Sequence, residues 1–375
     1  MKKLWRDSVA FAPAATNGDH PLVITALRAW RVREPVSSRR YTVIKLEAKG
    51  GAFGYGEGGP SVASDIAEAK AAVLGRTASD AEFIRSRLCG SPNVEAAVNN
   101  AMLDLLGRST SVPIYQFLGG PTRYKVRVVA HIEGQDEQQL SSAVRQARSR
   151  GFLAFAFTIP SRDAMWRMQA YVDVIRKRID LLKGVAGPDT DFVLDAGGTL
   201  TPGDASFIAT ALERIHLLWL DEPTNVLTYD ALSRITDETV MPVGLGRNIH
   251  DVTTFQNLLR WGCVDILRPS MGLNSIRQIR RMAAVAETHY VAVGPHHAGG
   301  PLGTLAAIHL AASLPNFFAQ QVPQPSAERD RAMRAEITSG YQETAKDGFA
   351  ELINKPGLGV DVNEQALAKY SEEVL

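Results

Sequence analysis

The stretch DFVLDAGGTLTPGDASFIATALERIHLLWLD, residues 191–221, contains the unit from which the fold can be predicted. It opens with a short apolar run that ends at Asp195, and it closes with a second apolar run that ends at Asp221. Between them, residues 204–215 carry apolar side chains at the i, i+3, i+4 spacing of a helix that buries one face. The stretch therefore predicts a strand, a helix and a second strand.

This unit recurs through the centre of the chain. The apolar runs occupy residues 125–132, 152–159, 191–195, 216–221, 240–246, 264–269, 290–295 and 316–321. Eight strand-then-helix units predict an α/β fold of the (β/α)8 TIM-type barrel class. The alternative is an open doubly wound sheet, which would need a phosphate-binding glycine fingerprint after its first strand. VGLGRN, residues 243–248, lacks the G-x-G-x-x-G spacing and falls in the fifth unit.

The region before the barrel has a different pattern. Residues 22–34 and 39–50 are rich in β-branched and aromatic side chains, and GGAFGYGEGG, residues 50–59, is interpreted as turns between strands. Amphipathic helical patterns follow, for example over residues 65–76 and 93–108. These features predict an α+β domain that precedes the barrel.

Composition restricts the class of function. The 375 residues are 45% hydrophobic and 22% charged, which is typical of a globular protein with a large core. A formal net charge of +1 without long like-charge runs gives no surface suited to nucleic acid or to an anionic membrane, so small-molecule chemistry is expected.

The cellular compartment is also predicted from composition. Cys89 and Cys263 are the only cysteines and are expected to be free thiols in a reducing, cytoplasmic setting. No apolar run approaches the ~20 residues of a membrane-spanning helix. Residues 1–15 resemble a signal peptide only weakly, because Arg6 and Asp7 interrupt the apolar pattern.

Polar side chains stand at or just after the ends of the predicted strands. In a (β/α)8 barrel the chemistry is carried by residues at the carboxyl ends of the strands. The positions concerned hold Asp195, Asp221 with Glu222, Arg247, Ser270 and His296. Roughly one polar group per unit is therefore predicted to converge at one end of the barrel.

Four further stretches carry a family resemblance. They are AAVNNAMLDLLGRSTSVPIYQFLGG (96–120), LLWLDEPT (217–224), VGPHHAGGPLGTLAA (293–307) and NKPGLGVDVN (354–363). In this order and at these separations they resemble the enolase superfamily, in its mandelate racemase and muconate lactonizing enzyme branch. The third stretch is similar to the sugar-acid dehydratases of that branch.

The resemblance implies a division into domains. Residues 1–20 are expected to be a poorly ordered arm, 21–120 an N-terminal α+β capping domain, and 121–322 the (β/α)8 barrel. Residues 323–375 would complete the capping domain.

The resemblance also implies a reaction and a cofactor. Members of the family abstract the proton next to a carboxylate and stabilise the enediolate on Mg²⁺ held by three carboxylates. Asp195 and Asp221 match the first two metal ligands, whereas the third position is Arg247. A guanidinium cannot coordinate a cation, and it is a ready partner for both carboxylates. Mg²⁺ is therefore the implied cofactor, but tight binding is not expected.

The acid and base residues of the family are largely replaced. The second-strand lysine positions match Ala156 and Thr158, and Ser270 replaces the aspartate that orients the catalytic histidine. The eighth strand ends in Gln320 and Gln321, where some members have a glutamate. Only His296 matches a catalytic residue of the family, and a neutral imidazole can serve as a base.

The expected roles of the site residues follow from these matches. His296 and Arg247 are the predicted catalytic residues; the predicted substrate contacts are Arg247, His297, Ser270 and His131; the metal positions are Asp195 and Asp221. Each residue also has a structural interpretation. Arg247 could clamp the two aspartates instead of binding a substrate carboxylate, and His131 or the His296–His297 pair could be packed or surface histidines.

Two neighbours are expected to be structural. Glu222 points to the opposite side of the strand from Asp221 and is predicted to brace the barrel wall. Arg268 either faces the barrel mouth or forms a salt bridge below the rim.

Three hypotheses for function follow. The first is a divergent lyase or racemase-like enzyme that acts on a small carboxylate, such as a sugar acid, with His296 as acid or base and Arg247 in place of the metal. The second retains a weakly bound Mg²⁺ at Asp195 and Asp221 in an acid-sugar dehydratase. The third is a non-catalytic homologue that binds a small acid or has a structural role. A homo-oligomer is the default expectation for such proteins.

Overall fold

The N-terminal part of the chain forms an antiparallel sheet. The computed structural model describes residues 20–163 and 165–375, so the predicted arm lies outside the described residues except for His20. Strands β1 (Ile24–Arg33), β2 (Arg40–Ala48) and β3 (Phe53–Gly58) lie side by side in the order of the chain. Four helices follow: α1 (Ala63–Val73), α2 (Ala81–Arg87), α3 (Pro92–Thr110) and α4 (Ile114–Phe117).

Strand β3 corrects one expectation from the sequence. Its glycines do not mark turns; Gly54, Gly56 and Gly58 alternate along the strand and face helix α3. A Cβ at Gly56 would overlap the carbonyl oxygen of Ala97 and the backbone nitrogen of Ala101. The glycines therefore let the helix backbone pack directly against the strand backbone, a close approach that any side chain would prevent.

The middle of the chain alternates strands with helices. In order these are β4 (Lys125–His131), α5 (Glu137–Ser149), β5 (Ala154–Thr158), α6 (Met168–Ala186), β6 (Asp191–Asp195), α7 (Pro202–Leu212), β7 (Trp219–Asp221), α8 (Tyr229–Asp237), β8 (Val243–Leu245), α9 (Val252–Arg260), β9 (Ile266–Leu267), α10 (Ile276–Thr288), β10 (Ala292–Val293), α11 (Pro301–Ser313) and β11 (Gln320–Pro323). Each of the eight predicted apolar runs contains or overlaps one of the eight strands.

The eight strands form a closed barrel. Neighbouring strands from β4 to β10 pair in parallel, and β11 pairs in parallel with β4. A parallel bridge between Val293 and Phe317 joins the remaining two edges. The predicted α/β fold, a TIM-type barrel with an N-terminal α+β cap, is confirmed.

Small and apolar side chains fill the barrel interior. This inner cluster contains Val129, Ala154, Ala156, Val193, Trp219, Ile266 and Ala319. Because successive side chains on a strand alternate between faces, the inward positions continue to the strand ends, where Asp195 and Asp221 stand. The interior of the barrel is therefore a packed apolar core, and the end formed by the carboxyl ends of the strands, here called the mouth, is polar.

The C-terminal segment returns to both sheets. After α12 (Glu328–Ile337), strand β12 (Phe349–Glu351) pairs antiparallel with β4 of the barrel. After α13 (Glu364–Lys369), strand β13 (Ser371–Val374) pairs antiparallel with β1 of the cap. The predicted domain limits themselves stay predictions. Among the helices of the described residues, none combines the length and apolarity needed to cross a bilayer.

Candidate functional site

The carboxyl ends of the barrel strands bring the predicted polar residues together. Asp195 and Asp221 are the last residues of β6 and β7, and their strands pair with these two residues in register. Arg247 follows β8 by two positions, and a backbone bridge joins Ser270 to His296 after β9 and β10. This end of the barrel is the candidate site.

Arg247 lies between the two aspartates. Its Nη2 is 2.9 Å from Asp195 Oδ2 and 2.6 Å from Asp221 Oδ2. Burial alone would lower the pKa of the guanidinium, but Asp221 and Asp195 raise it above its ordinary value. Arg247 therefore remains a cation at every accessible pH, and its charge is shared between both carboxylates.

The two carboxylates differ in their surroundings. Asp221 Oδ1 accepts from Arg268 Nε over 2.8 Å and from Trp219 Nε1 over 2.9 Å. Although burial opposes ionisation, the two arginines hold the pKa of Asp221 below its usual value. At Asp195, burial and the neighbouring Asp221 raise the pKa, which Arg247 only partly offsets. Protonation of the pair would therefore begin at Asp195.

The residues present do not fit a divalent metal ion. Every oxygen of Asp221 already accepts from a cationic or ring donor, and Asp195 Oδ1 accepts from the N–H of Gly197 over 2.9 Å. Mg²⁺ requires oxygen ligands in an octahedral arrangement, whereas the third side chain here is a guanidinium. Within the described residues, no group of three or more His, Cys, Asp and Glu side chains is arranged to hold a metal ion.

Arg268 lies inside the barrel, which agrees with a salt bridge below the rim. It is fully buried, with its guanidinium 4.9 Å from the ring centroid of Trp219. In addition to Asp221, it donates from Nη2 to Gln321 Oε1 over 2.5 Å and from Nη1 to the carbonyl of Gly294. The importance of this second cation is not apparent from the sequence, where only its position before Pro269 distinguishes it.

Glu222 positions the backbone that carries Arg247. Its backbone has a positive φ of 44°. Its Oε1 accepts from the N–H groups of Gly246 and Arg247 over 2.8 and 2.7 Å. Burial, followed by the charge of Asp221, raises the pKa of Glu222 to about 7. Glu222 is thus attached to the turn after β8.

His296 is buried beside the cationic side chains. Burial, together with Arg247 and Arg268, lowers its pKa well below the usual histidine value, so the ring is neutral near pH 7. Its Nδ1 has no hydrogen-bond partner among the described residues, and neither does Nε of Arg247. A buried polar atom without a partner is costly, so a ligand that reached these two atoms would satisfy a hydrogen-bonding need that the protein leaves open.

His297 is directed elsewhere. Its Nε2 donates to the carbonyl oxygen of Gly300 over 2.9 Å, and its ring lies against Gly303 at the start of α11. Burial lowers its pKa to about 4. Its Nδ1, like that of His296, has no hydrogen-bond partner among the described residues, and its role as a substrate contact stays a prediction.

His131 and Ser270 stand at the mouth. His131 Nε2 is 4.0 Å from Asp195 Oδ2, and burial lowers the pKa of the ring to about 4. Above it, Arg39 from the β1–β2 loop donates to Glu133 over 2.6 Å. Nothing in the sequence pattern singles out Arg39.

The barrel sequence matches a known family. The family described as "Enolase C-terminal domain-like" matches residues 139–366, more than half of the chain. A "D-galactonate dehydratase family member" from Streptomyces bingchenggensis is 28% identical over 305 residues, 74% of this chain and 73% of that protein. A "D-mannonate dehydratase" from Xanthomonas oryzae pv. oryzicola is 27% identical over 302 residues, 73% of this chain and 71% of that protein.

A solved structure shows the same fold. The mandelate racemase/muconate lactonizing enzyme-like protein from Rubrobacter xylanophilus superposes with a TM-score of 0.82 at 24% identity. The match covers 94% of this chain and 98% of that chain, so it includes both the cap and the barrel.

Proposed function

Because the chain belongs to the enolase superfamily, in its mandelate racemase/muconate lactonizing enzyme branch, we propose that it is a divergent lyase or racemase-like enzyme that acts on a small sugar acid. Arg247 binds the substrate carboxylate, and His296 moves the proton on the adjacent carbon. No step uses a metal ion, since the side chains at the mouth do not fit one. The relatives named as D-galactonate and D-mannonate dehydratases support the substrate class.

One observation carries the proposal. Arg247 Nε and His296 Nδ1 are both buried and both lack a hydrogen-bond partner among the described residues. The first is a charged donor suited to a carboxylate oxygen, and the second is a ring nitrogen suited to a proton. An α-hydroxy acid carries the two groups that these atoms need, a carboxylate for Arg247 and an acidic C–H for His296.

The proposed step begins with neutral His296. The imidazole takes the proton from the carbon next to the carboxylate, and the electron pair of the broken C–H bond moves into the carboxylate as an enediolate. The added negative charge is stabilised by the guanidinium of Arg247, which is held in place before the reaction by Asp195 and Asp221.

Two outcomes are open to the enediolate. Delivery of a proton from water to the opposite face of the carbon completes an isomerisation, whereas return of the proton from His296 regenerates the substrate. Alternatively, the β-hydroxyl leaves with the proton carried by His296, which forms water and an enol that tautomerises to a keto acid. Both outcomes need the imidazole to accept a proton easily, and a bound carboxylate near the arginines would raise the low pKa of His296 toward neutrality.

A second candidate is binding without catalysis. It is favoured by the second barrel strand, where Ala156 is buried in the barrel interior and Thr158 ends the strand. Neither side chain can replace the lysine base of the family. Ser270 likewise offers no carboxylate to orient His296.

Proton exchange in D₂O tests the two candidates. The wild-type protein, freed of metal with EDTA, is incubated with a panel of five- and six-carbon aldonates, and ¹H NMR follows the C2 proton and any keto-acid product. We expect exchange or dehydration of at least one aldonate, unaffected by EDTA. His296→Asn should slow it by about a hundredfold or more, the usual contribution of a general base.

Matched variants interpret the result. His289→Asn, at an exposed histidine that ends α10, should leave the rate unchanged. Calorimetric binding of an aldonate that is lost in Arg247→Lys, without any exchange, would favour the binding protein over the enzyme. Neither binding nor exchange, or activity abolished by EDTA and restored by Mg²⁺, would refute the proposed roles.

A further inference from the structure

A second groove lies on the outside of the barrel, away from the mouth. It has a volume of about 460 Å³ and runs between helix α10 and the cap helices α2, α3 and α4. None of its lining residues belongs to the candidate site described above. Its volume is within the range of small-molecule sites, roughly 300–1,000 Å³.

One wall of the groove consists of arginines. Arg277, Arg280 and Arg281 stand at i, i+3 and i+4 on α10, so their side chains share one face of the helix. Arg281 is paired with Glu82 over 2.6 Å, and Glu82 also accepts from Arg85 over 3.1 Å. The one acidic side chain that lines the groove is thus already shared by two cations.

The other two arginines lack such partners. Nε of Arg277 is buried without a hydrogen-bond partner, and burial lowers the pKa of this residue. Arg280 is partly buried, and no hydrogen bond or ion pair is found for it in residues 20–163 and 165–375. A partly buried cation without a hydrogen-bonded ion-pair partner is unfavourable, which favours an anion as the group that completes the site.

Glu95 supplies little compensation. Among the described residues, Glu82 and Glu95 are the two carboxylates whose charge stabilises the Arg277 cation. Burial raises the pKa of Glu95 to about 7. Near neutral pH it is therefore only partly ionised, and the groove retains a positive excess.

The opposite wall is apolar. It is formed by Leu103, Leu106, Phe117 and Leu118, and the side chain of Phe117 is 42% exposed. An exposed aromatic ring opposite two arginines is a surface for a ligand that is charged at one end and apolar at the other.

We propose that this groove binds a small organic anion, with a phosphate or carboxylate head between Arg277 and Arg280 and an apolar body against Phe117 and Leu106. The guanidinium groups would donate charge-assisted hydrogen bonds to the head, and the ligand body would cover the exposed ring. The groove is separate from the barrel mouth, so this proposal does not depend on the proposed reaction.

Calorimetry with three probes tests this site in the full-length protein. Inorganic phosphate, phenyl phosphate and benzoate are titrated separately, so that the head group and the apolar body are compared. We expect phenyl phosphate or benzoate to bind, and phenyl phosphate to bind more tightly than inorganic phosphate. Arg277→Gln/Arg280→Gln should weaken binding about tenfold or more, the effect of losing charge-assisted hydrogen bonds.

The controls separate specific from general effects. Arg260→Gln removes an exposed arginine at the end of the neighbouring helix α9 and should leave binding unchanged. Phe117→Ala should weaken the aromatic probes and leave inorganic phosphate unaffected. If the double variant does not fold, Arg280→Gln alone serves, because this residue has no described contact to lose.

Three results would overturn the proposal. They are no binding of any probe at millimolar concentration, an equal loss of binding in Arg260→Gln, and a change of oligomeric state in Arg277→Gln/Arg280→Gln by sedimentation. The last would identify the groove as a contact between copies of the chain.

Discussion

At the scale of the residue, the decisive feature is a cation built into the chain. Arg247 bridges Asp195 and Asp221, the two positions that the family resemblance predicts as metal ligands, and Arg268 also pairs with Asp221. Two guanidinium groups therefore neutralise two carboxylates. The mouth of the barrel keeps positive groups next to His296 without requiring an external ion.

This arrangement predicts the response to Mg²⁺. The thermal midpoint of the wild-type protein should not change with millimolar Mg²⁺, whereas that of Arg247→Glu should rise. The substitution removes the blocking cation and supplies a third carboxylate, and a ligand that binds only the folded state stabilises it. A concentration of 100 Kd would add ~2.7 kcal/mol, which for a chain of this length corresponds to about 3 °C.

Arg268 should limit that gain. Because it still pairs with Asp221 in Arg247→Glu, the double variant Arg247→Glu/Arg268→Gln is expected to respond at lower Mg²⁺ concentration. Adding Asp195→Asn to this double variant should remove the stabilisation by Mg²⁺. A shift of the wild-type protein itself would show that Arg247 does not block the site.

At the scale of the element, helix α3 illustrates how closely the cap is packed. The glycines of β3 admit the helix backbone, and Asn100 of the helix donates to the carbonyl oxygen of Glu57 over 3.2 Å. The buried faces of α3 are polar as well as apolar: Glu95 accepts from Ser275 of the barrel, and Asp104 accepts from the N–H of Tyr55 on β3. Both features follow from contacts that the helical periodicity alone did not indicate.

The close contact predicts a strong effect of a single methyl group. Gly56→Ala should destabilise the protein by about 3 kcal/mol or more, because the new Cβ would overlap backbone atoms of α3 that cannot move independently. Gly184→Ala is the matched control: Gly184 is exposed within α6, with open space around its Cβ position, and the change should gain up to about 1 kcal/mol. Urea denaturation measures both, and equal stabilities would contradict the packing argument.

Glu95 predicts a pH dependence. Its Oε1 accepts from Asn99 over 2.5 Å, Oε2 has no partner, and burial raises the pKa of the carboxyl to about 7. Since the pKa is raised on folding, the stabilising contribution is complete below the unfolded-state pKa and is lost as the pH rises through about 7.

Glu95→Gln removes this titration. The variant should match the wild type near pH 5 and exceed its unfolding free energy by on the order of 2 kcal/mol near pH 8. Glu287→Gln, at an exposed glutamate of α10, is the control and should show no such difference. Parallel stability profiles for Glu95→Gln and the wild type would refute the assignment.

At the scale of the whole molecule, buried ions join the cap to the barrel. Arg334 of α12 donates to Glu34, which follows β1, over 2.6 Å and to Glu343 over 2.5 Å. It also donates to the carbonyl of Gly299 over 2.8 Å, before α11. Glu57 of β3 accepts from the N–H groups of Gly300 and Gly303. A side chain of the cap therefore caps the N-terminus of α11, a helix of the barrel.

Removing the central cation should weaken the whole structure. Arg334→Met leaves buried Glu343 without its ion-pair partner and Glu34 with Arg39 alone, and a loss of about 3–5 kcal/mol is expected. Arg329→Met, at an exposed arginine on the same helix, should stay within about 0.5 kcal/mol of the wild type. Urea denaturation followed by tryptophan fluorescence gives both values, and similar losses would show that Arg334 does not hold the two parts together.

The sequence alone determined the architecture and which residues lie at the mouth of the barrel. Strands and helices are encoded by apolar periodicity among near neighbours, so eight runs predicted eight strands, and each strand carried its terminal side chain to the same rim. The order of residues along the chain is therefore enough to name Asp195, Asp221, Arg247 and His296 as members of the mouth. The family resemblance supplied the expected chemistry and predicted that Arg247 stands in place of one metal ligand.

The tertiary structure decided how those side chains are connected. Arg247 lies 52 positions along the chain from Asp195 and 26 positions from Asp221. No local sequence pattern predicts which carboxylates it pairs with. The inward Arg268, the direction of His297 and the glycine face of β3 likewise depend on what packs across the barrel or the cap. Pairing and burial are properties of three-dimensional neighbours, whereas periodicity is a property of the chain.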